Sequence, residues 1–295
     1  MKEQVQAFLV HLHNKNFSSH TLQGYEEDLL QFTDFCTARK LNQVSDFSLA
    51  TVRSFLASLA PHKYQRNTTL RKIASLRSFA NFLLEQGQIA SNPFKLLPAP
   101  KRERHLPKFL NIDETERLIE TSAAAGRFAT RNRALLELIY SSGLRRSEVT
   151  GLKIADVDLF NGVVKVLGKG NKERYVPVTQ TALQALRDYL ATRVNPRPDE
   201  ALFLNKNGTP LTGDGLAYIF KTLAIKSNIV RKVSPHSLRH SFATHLLNNG
   251  CDLRSLQEML GHKSLLATQV YTHVSLDKLK SVYEHAHPKN KETQI

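Results

Sequence analysis

The chain has 295 residues, with 41 Lys and Arg against 26 Asp and Glu, a formal charge of +15 and a pI of about 9.9. That length suggests two domains, and a hydrophobic content of 41% excludes a globally disordered chain. Strong basicity in a foldable chain points to a polyanionic partner, nucleic acid foremost, against the plainer reading of charge kept for solubility.

The first 92 residues read as helices. Val5, Phe8, Leu9 and Leu12 recur at helical spacing, as do Leu22, Tyr25, Leu29, Phe32 and Cys36. A third stripe carries Val52, Phe55, Leu56 and Leu59; a fourth carries Leu70, Ile73, Leu76, Phe79 and Leu83, with Gly87 as its stop. Four such amphipathic helices make a small bundle. Asn92-Pro93 breaks the pattern, and 93–108 reads as a linker rich in proline and bases, among them Lys101, Arg102, Arg104 and Lys108. Between residues 61 and 110 ten bases face two acids. A charge run is usually a solvated face, but this concentration favours a nucleic-acid footprint, with Arg66, Arg71, Lys72 and Arg77 on the fourth helix as candidate groove contacts.

A second domain is expected over 109–288, followed by a polar tail, 289–295. It opens on Asn111-Ile112-Asp113-Glu114, a capping-box pattern, and a helix through 133–140 stops near Gly143. The period then changes. Val163–Leu167 and Arg174–Val178 are short and β-branched, Asn161-Gly162 precedes the first, and a glycine-flanked turn separates them. They predict a small antiparallel sheet. Helical patterns return to the end, where Leu276, Leu279, Val282, Tyr283 and Ala286 form the stripe of a helix capped by Ser275. No apolar run approaches the ~20 residues of a membrane span, and the opening Met1-Lys2-Glu3-Gln4 lacks the apolar stretch of a signal peptide. Two cysteines, Cys36 and Cys251, supply neither a disulfide framework nor a cysteine zinc site. A cytoplasmic location is the expectation.

Four islands in the second domain carry the chemistry. They are Ser142–Glu148 with Arg145, Gly168-Lys169-Gly170, Ser234–His245, and Leu260-Gly261-His262 followed nine residues later by Tyr271. In the third, Ser234 suits a helix N-cap and Pro235 the first helical position. His236 and Arg239 then share one face near the first turn, where unpaired N–H groups and the positive dipole end favour a phosphate. Leu238, Phe242 and Leu246 form the opposite, buried stripe, and His245 reads as an inward, hydrogen-bonded histidine. The glycine turn fails the spacing of a nucleotide-binding phosphate loop, and the histidines lack a zinc pattern. Singly each island is weak; their joint order is specific.

The set Arg145, Lys169, His236-x-x-Arg239, Leu260-Gly261-His262 and Tyr271 resembles the tyrosine recombinase (phage-integrase) family over nearly the whole chain. Within it the chain is similar to the Xer chromosome-dimer recombinases. Ser241–His245, Tyr271-Thr272-His273 and Ser281–Pro288 place it nearest the Xer branch whose partner is XerD-like. The resemblance implies a mainly α fold with a small antiparallel sheet: a helical core-binding domain plus an α+β catalytic domain, closing as a C-shaped clamp on DNA. It implies a Tyr271 nucleophile forming a 3′-phosphotyrosyl bond, Arg145 and Arg239 as phosphate clamps, and Lys169 protonating the departing 5′-oxygen. His236 and His262 share proton transfer and phosphate contact, and Glu148 orients Arg145 or, alternatively, is an ordinary surface glutamate of its helix. Arg146 is left a DNA-backbone or solvent role. No cofactor or metal is implied. The implied partners are double-stranded DNA at a specific site, a second XerD-like recombinase in a heterotetramer, and an FtsK-type translocase. The last helix would dock on a neighbouring protomer or, alternatively, on its own domain. A mobile-element integrase, a type IB topoisomerase and a catalytically silent DNA-binding protein are the rival readings.

Overall fold

A computed structural model describes residues 1–295 apart from 16, 18, 61–63, 65, 97–108, 125, 169–172, 262–272 and 292–295; the side chains at 20, 66, 67, 95, 96, 273–278 and 291 also lie outside the description. The chain forms two compact units, Met1–Arg104 and His105–Ile295.

In the first unit, α1 (Lys2–Asn14), α2 (Ser19–Ala38), α3 (Leu49–Ser58) and α4 (Arg66–Glu85) turn their apolar stripes inward. Phe8, Phe32, Phe55 and Phe79 are buried at the centre, Phe32 standing edge-on to Phe55 at 5.2 Å and Phe8 against Phe79 at 5.5 Å. A buried ion pair crosses this core. Asp28 of α2 accepts from three donors of α4: Lys72 Nζ at 2.9 Å, Arg71 Nη1 at 2.8 Å and Ser75 Oγ at 2.7 Å. Such a carboxylate is tolerated inside only because its lone pairs are filled. The expected linker opens on a short 3-10 turn, Pro93–Leu96, that buries Phe94 in the same core, while 97–108 lie outside the described residues.

The second unit runs α5 (Ile112–Ala123), α6 (Ala129–Ser142), α7 (Arg146–Gly151), β1 (Val157–Asp158), β2 (Val163–Leu167), β3 (Glu173–Pro177), α8 (Gln180–Ala191), α9 (Gly213–Lys226), α10 (Pro235–Asn248), α11 (Leu253–Leu260), α12 (His273–Ala286) and α13 (Pro288–Lys291). Helix α5 starts on the predicted capping box, Asn111 Oδ1 accepting from Glu114 N at 2.7 Å and Glu114 Oε2 from Asn111 N at 2.9 Å. From Ala134 to Ser142, α6 is buried on every side, packed on by α5, α8 and α10, which makes it the axis of the domain. The sheet is antiparallel in the order β1-β2-β3, with Val163 opposite Pro177 and Leu167 opposite Glu173. Strand β1, two residues long, is too short to leave a periodic signal; Asp158 turns it into β2 by accepting from the N–H groups of Phe160 and Asn161. The described part of the last helix packs on its own domain. Leu279, Tyr283 and Ala286 lie in the domain core, and Tyr283 Oη donates to the Ser141 carbonyl at 2.9 Å. Among the described residues no helix is long and apolar enough to cross a membrane.

Candidate active site

Gly143 ends α6 in the left-handed region, with φ 58°. A side chain there would run into the Phe242 ring of α10, so only glycine lets the two helices meet this closely. Leu144 is then buried, and Arg145 emerges at the start of α7 with its side chain 41% exposed. Helix α10 starts as expected: Ser234 Oγ accepts from Ser237 N, and Ser237 Oγ accepts from Ser234 N at 2.7 Å. This start leaves His236 exposed on the first turn and carries Arg239, buried, one turn on.

The two arginines meet at Glu148. Arg145 donates to it twice, from Nη1 to Oε1 at 2.8 Å and from its backbone N to Oε2 at 2.8 Å. Arg239 Nη1 stands 3.8 Å from Oε2 and donates to the Gly143 carbonyl. A third guanidinium, which the motif reading missed, completes the cluster. Arg174 of β3 forks onto the same carboxylate at 2.9 and 2.9 Å. The signal for it was strand alternation, since Arg174 shares the parity of the buried Val176 and so had to point inward.

All three guanidiniums also cap one helix end. Arg174 Nε donates to the Met259 carbonyl at 2.9 Å, Arg239 Nη2 to Leu260 at 2.8 Å and Arg145 Nη2 to Gly261 at 3.1 Å. These carbonyls close α11, where helical partners run out and the dipole is negative. Burial pushes the Glu148 carboxyl up, but hydrogen bonds from Arg174 and Arg145 and the charge of Arg174 hold it down at about 2. Burial, reinforced by Arg145 and opposed by Glu148, lowers Arg239 to about 10, so it stays protonated at neutral pH. Among the described residues, three guanidiniums against one carboxylate leave a net charge of two positive, beside a solvent-facing Arg145 and His236. That arrangement suits a phosphate that gains charge during reaction.

Lys169, His262 and Tyr271 lie outside the described residues. Arg146 is exposed, with Nη1 3.8 Å from Asp214 Oδ1. His245 turns inward as expected, Nδ1 2.9 Å from Tyr140 Oη, and burial lowers its pKa. Of the candidate DNA contacts, Lys72 needs correcting. It is 5% exposed and its ammonium is held by Asp28, so it belongs to the interior of the bundle. Arg71 is half-exposed, its Nη1 shared between Asp28 and the Gly24 carbonyl. Arg77 is half-buried with its guanidinium 5.8 Å from the Phe94 ring centre. The Arg66 side chain and residues Lys101, Arg102 and Arg104 lie outside the described set.

Residues 108–278 match the Phage integrase family, and residues 5–87 match the Phage integrase N-terminal SAM-like domain. Tyrosine recombinase XerC of Pelobacter propionicus is 43% identical over 292 residues, covering 98% of this chain and 96% of that protein. Tyrosine recombinase XerC of Halalkalibacterium halodurans is 45% identical over 295 residues, covering 97% of each. Among solved structures, XerH site-specific recombinase in a pre-cleavage complex with its difH substrate aligns with a TM-score of 0.66 at 27% identity, over 89% of this chain and 79% of that one. The Tn1549 transposon integrase bound to circular intermediate DNA aligns with a TM-score of 0.72 over 99% and 98%; at 20% identity it speaks to the fold alone.

Proposed function

The chain belongs to the phage integrase family of tyrosine recombinases, in its Xer subgroup, and from that premise we propose that Arg145, Lys169, His236, Arg239, His262 and Tyr271 are its catalytic set. It is an enzyme of site-specific DNA recombination. Tyr271 Oη attacks a scissile phosphorus as its proton passes to His236. The P–O5′ bond breaks as Lys169 protonates the leaving oxygen, giving a 3′-phosphotyrosyl ester and a free 5′-hydroxyl. The ester conserves the bond energy, so a 5′-hydroxyl from another strand reverses the step without ATP. Arg145 and Arg239 fork onto the non-bridging oxygens, each such bond contributing about 1.5–3 kcal/mol, and His262 donates to the same phosphate. Glu148 orients Arg145.

What carries the reading is the convergence of Arg145 and Arg239, 94 residues apart, on one carboxylate with net positive charge left over. We assign the helical domain, 1–92, and the basic linker, 93–108, to the DNA backbone, and 109–288 to catalysis. The substrate is a short chromosomal site of dif type. There a tetramer with a second, XerD-like recombinase, under an FtsK-type translocase, resolves chromosome dimers in the cytoplasm before division. The Xer match favours this role over that of a mobile-element integrase.

A nicked suicide duplex tests the chemistry. Wild type traps as a covalent protein–DNA adduct, with or without chelator, and Tyr271→Phe forms none. Adduct formation by Tyr271→Phe, or adduct that needs added magnesium, overturns the assignment; no adduct from wild type favours a silent DNA-binding protein.

A further inference from the structure

Among the described residues Arg174 makes three side-chain hydrogen bonds at the candidate site, where Arg145 and Arg239 make two each. A carboxylate has about four lone-pair positions, and those of Glu148 are filled by four N–H groups: Arg145 N and Nη1 at 2.8 Å, and Arg174 Nη1 and Nη2 at 2.9 Å. Half of what holds this carboxylate is therefore Arg174. Its remaining nitrogen, Nε, donates to the Met259 carbonyl at the end of α11. Gly261, which follows that helix with φ 63°, lies directly on the guanidinium; an added Cβ would stand 3.2 Å from both Nε and Nη1. Arg174 itself is the second residue of β3, just after the connection that carries Lys169. It thus ties together the strand after Lys169, the carboxylate behind Arg145, and the helix end leading to His262 and Tyr271.

We infer that Arg174 is a positioning residue for DNA cleavage, fixing the Glu148 carboxylate so that Arg145 and Arg239 keep their charge and donors for the phosphate. The inference rests on Arg145 being a phosphate clamp. Without Arg174, two lone pairs of Glu148 open. The carboxylate then turns more fully onto Arg145 or closes the 3.8 Å gap to Arg239, and either move neutralises a cation the phosphate needs. Lysine does not substitute, because one ammonium cannot fork onto both carboxylate oxygens while also reaching Met259.

The test is single-turnover cleavage of the nicked suicide duplex at saturating DNA, with duplex affinity and thermal unfolding measured in parallel. The proteins are wild type, Arg174→Lys, Arg174→Met, Glu148→Gln, both Arg174 variants combined with Glu148→Gln, and Arg145→Ala. Loss of charge-assisted hydrogen bonds predicts cleavage about ten- to a hundredfold slower in each Arg174 variant, with affinity within about twofold of wild type. Because Arg174 acts through Glu148, adding an Arg174 substitution to Glu148→Gln slows cleavage no further. A residue that only supports the fold would lower stability and multiply its loss onto Glu148→Gln. Wild-type cleavage by Arg174→Lys and Arg174→Met, or losses that multiply in the double variants, overturn the inference. Should Arg174→Met not fold at the assay temperature, the lysine pair decides alone. Arg145→Ala separates the two levels: if it forms adduct as fast as wild type, the clamp reading fails, whereas its failure beside unaffected Arg174 variants sinks only this inference.

Discussion

Burial holds His287 neutral. Its Nδ1 accepts from the Lys289 backbone N–H, leaving the proton on Nε2, which faces the Tyr140 carbonyl at 3.3 Å. Burial first, and the Lys289 charge after it, lower its pKa to about 3 despite the raising effect of that carbonyl. The unfolded chain therefore takes up a proton near pH 6.5 while the folded one resists, and stability falls as pH drops from 6.5 towards 3. Between pH 6.5 and 5 the loss from this group is about 2 kcal/mol. Urea unfolding at pH 7.5, 6.5, 5.5 and 5.0 reads it, and His287→Phe, in a pocket lined by Tyr140, Phe242 and Tyr283, should flatten most of that slope. His245, also lowered by burial, supplies the remainder. Glu148, held at about 2, adds its own loss only below the ordinary carboxylate range near 4.5. An acid limb unchanged in His287→Phe would refute the buried neutral imidazole.

At the level of elements, two glycines carry the same backbone signal with different consequences. Gly143 and Gly87 both follow helices with positive φ, 58° and 66°. An added Cβ at Gly87 meets nothing within 4 Å, whereas at Gly143 it strikes Phe242 and comes within 3.0 Å of Leu260 Cδ2. Gly87→Ala should cost only the left-handed strain, about 1 kcal/mol. Gly143→Ala adds overpacking of about 1–3 kcal/mol, and it shifts the segment that delivers Arg145 and the carbonyl that Arg239 grips. Urea midpoints for the two variants test the difference, and equal destabilisation would mean that α6 and α10 meet less closely than described. The helix ends were legible in sequence because glycine after an apolar stripe is a local signal. The contact that makes one glycine indispensable joins residues 99 positions apart, and no local pattern carries it.

For the whole molecule, the charge of +15 predicts DNA affinity that falls steeply with salt. The structure divides the described bases of α4 between surface and interior. Arg77→Ala should lower the slope of log affinity against log salt by about 0.9 if its guanidinium meets one phosphate. Lys72→Met should leave that slope unaltered while costing about 3 kcal/mol of stability, because buried Asp28 loses one of its three donors. Measuring affinity from 50 to 300 mM salt beside urea unfolding distinguishes them. A shallower slope in Lys72→Met would return Lys72 to the DNA surface.

Sequence alone determined the helical periods of both units, the capping residues Asn111 and Ser234, the β2–β3 pairing, and the ordered islands that identify the chemistry. Each of these is written in residues a few positions apart, where backbone geometry and hydrogen-bond satisfaction are decided locally. Tertiary structure alone decided that Lys72 is an internal cation, that the last helix packs on its own domain, and that Arg174 completes the arginine cluster around Glu148. A polar side chain acquires its role from what faces it, and here the facing groups lie 44, 142 and 26 residues away. Only the folded packing brings them within hydrogen-bond reach.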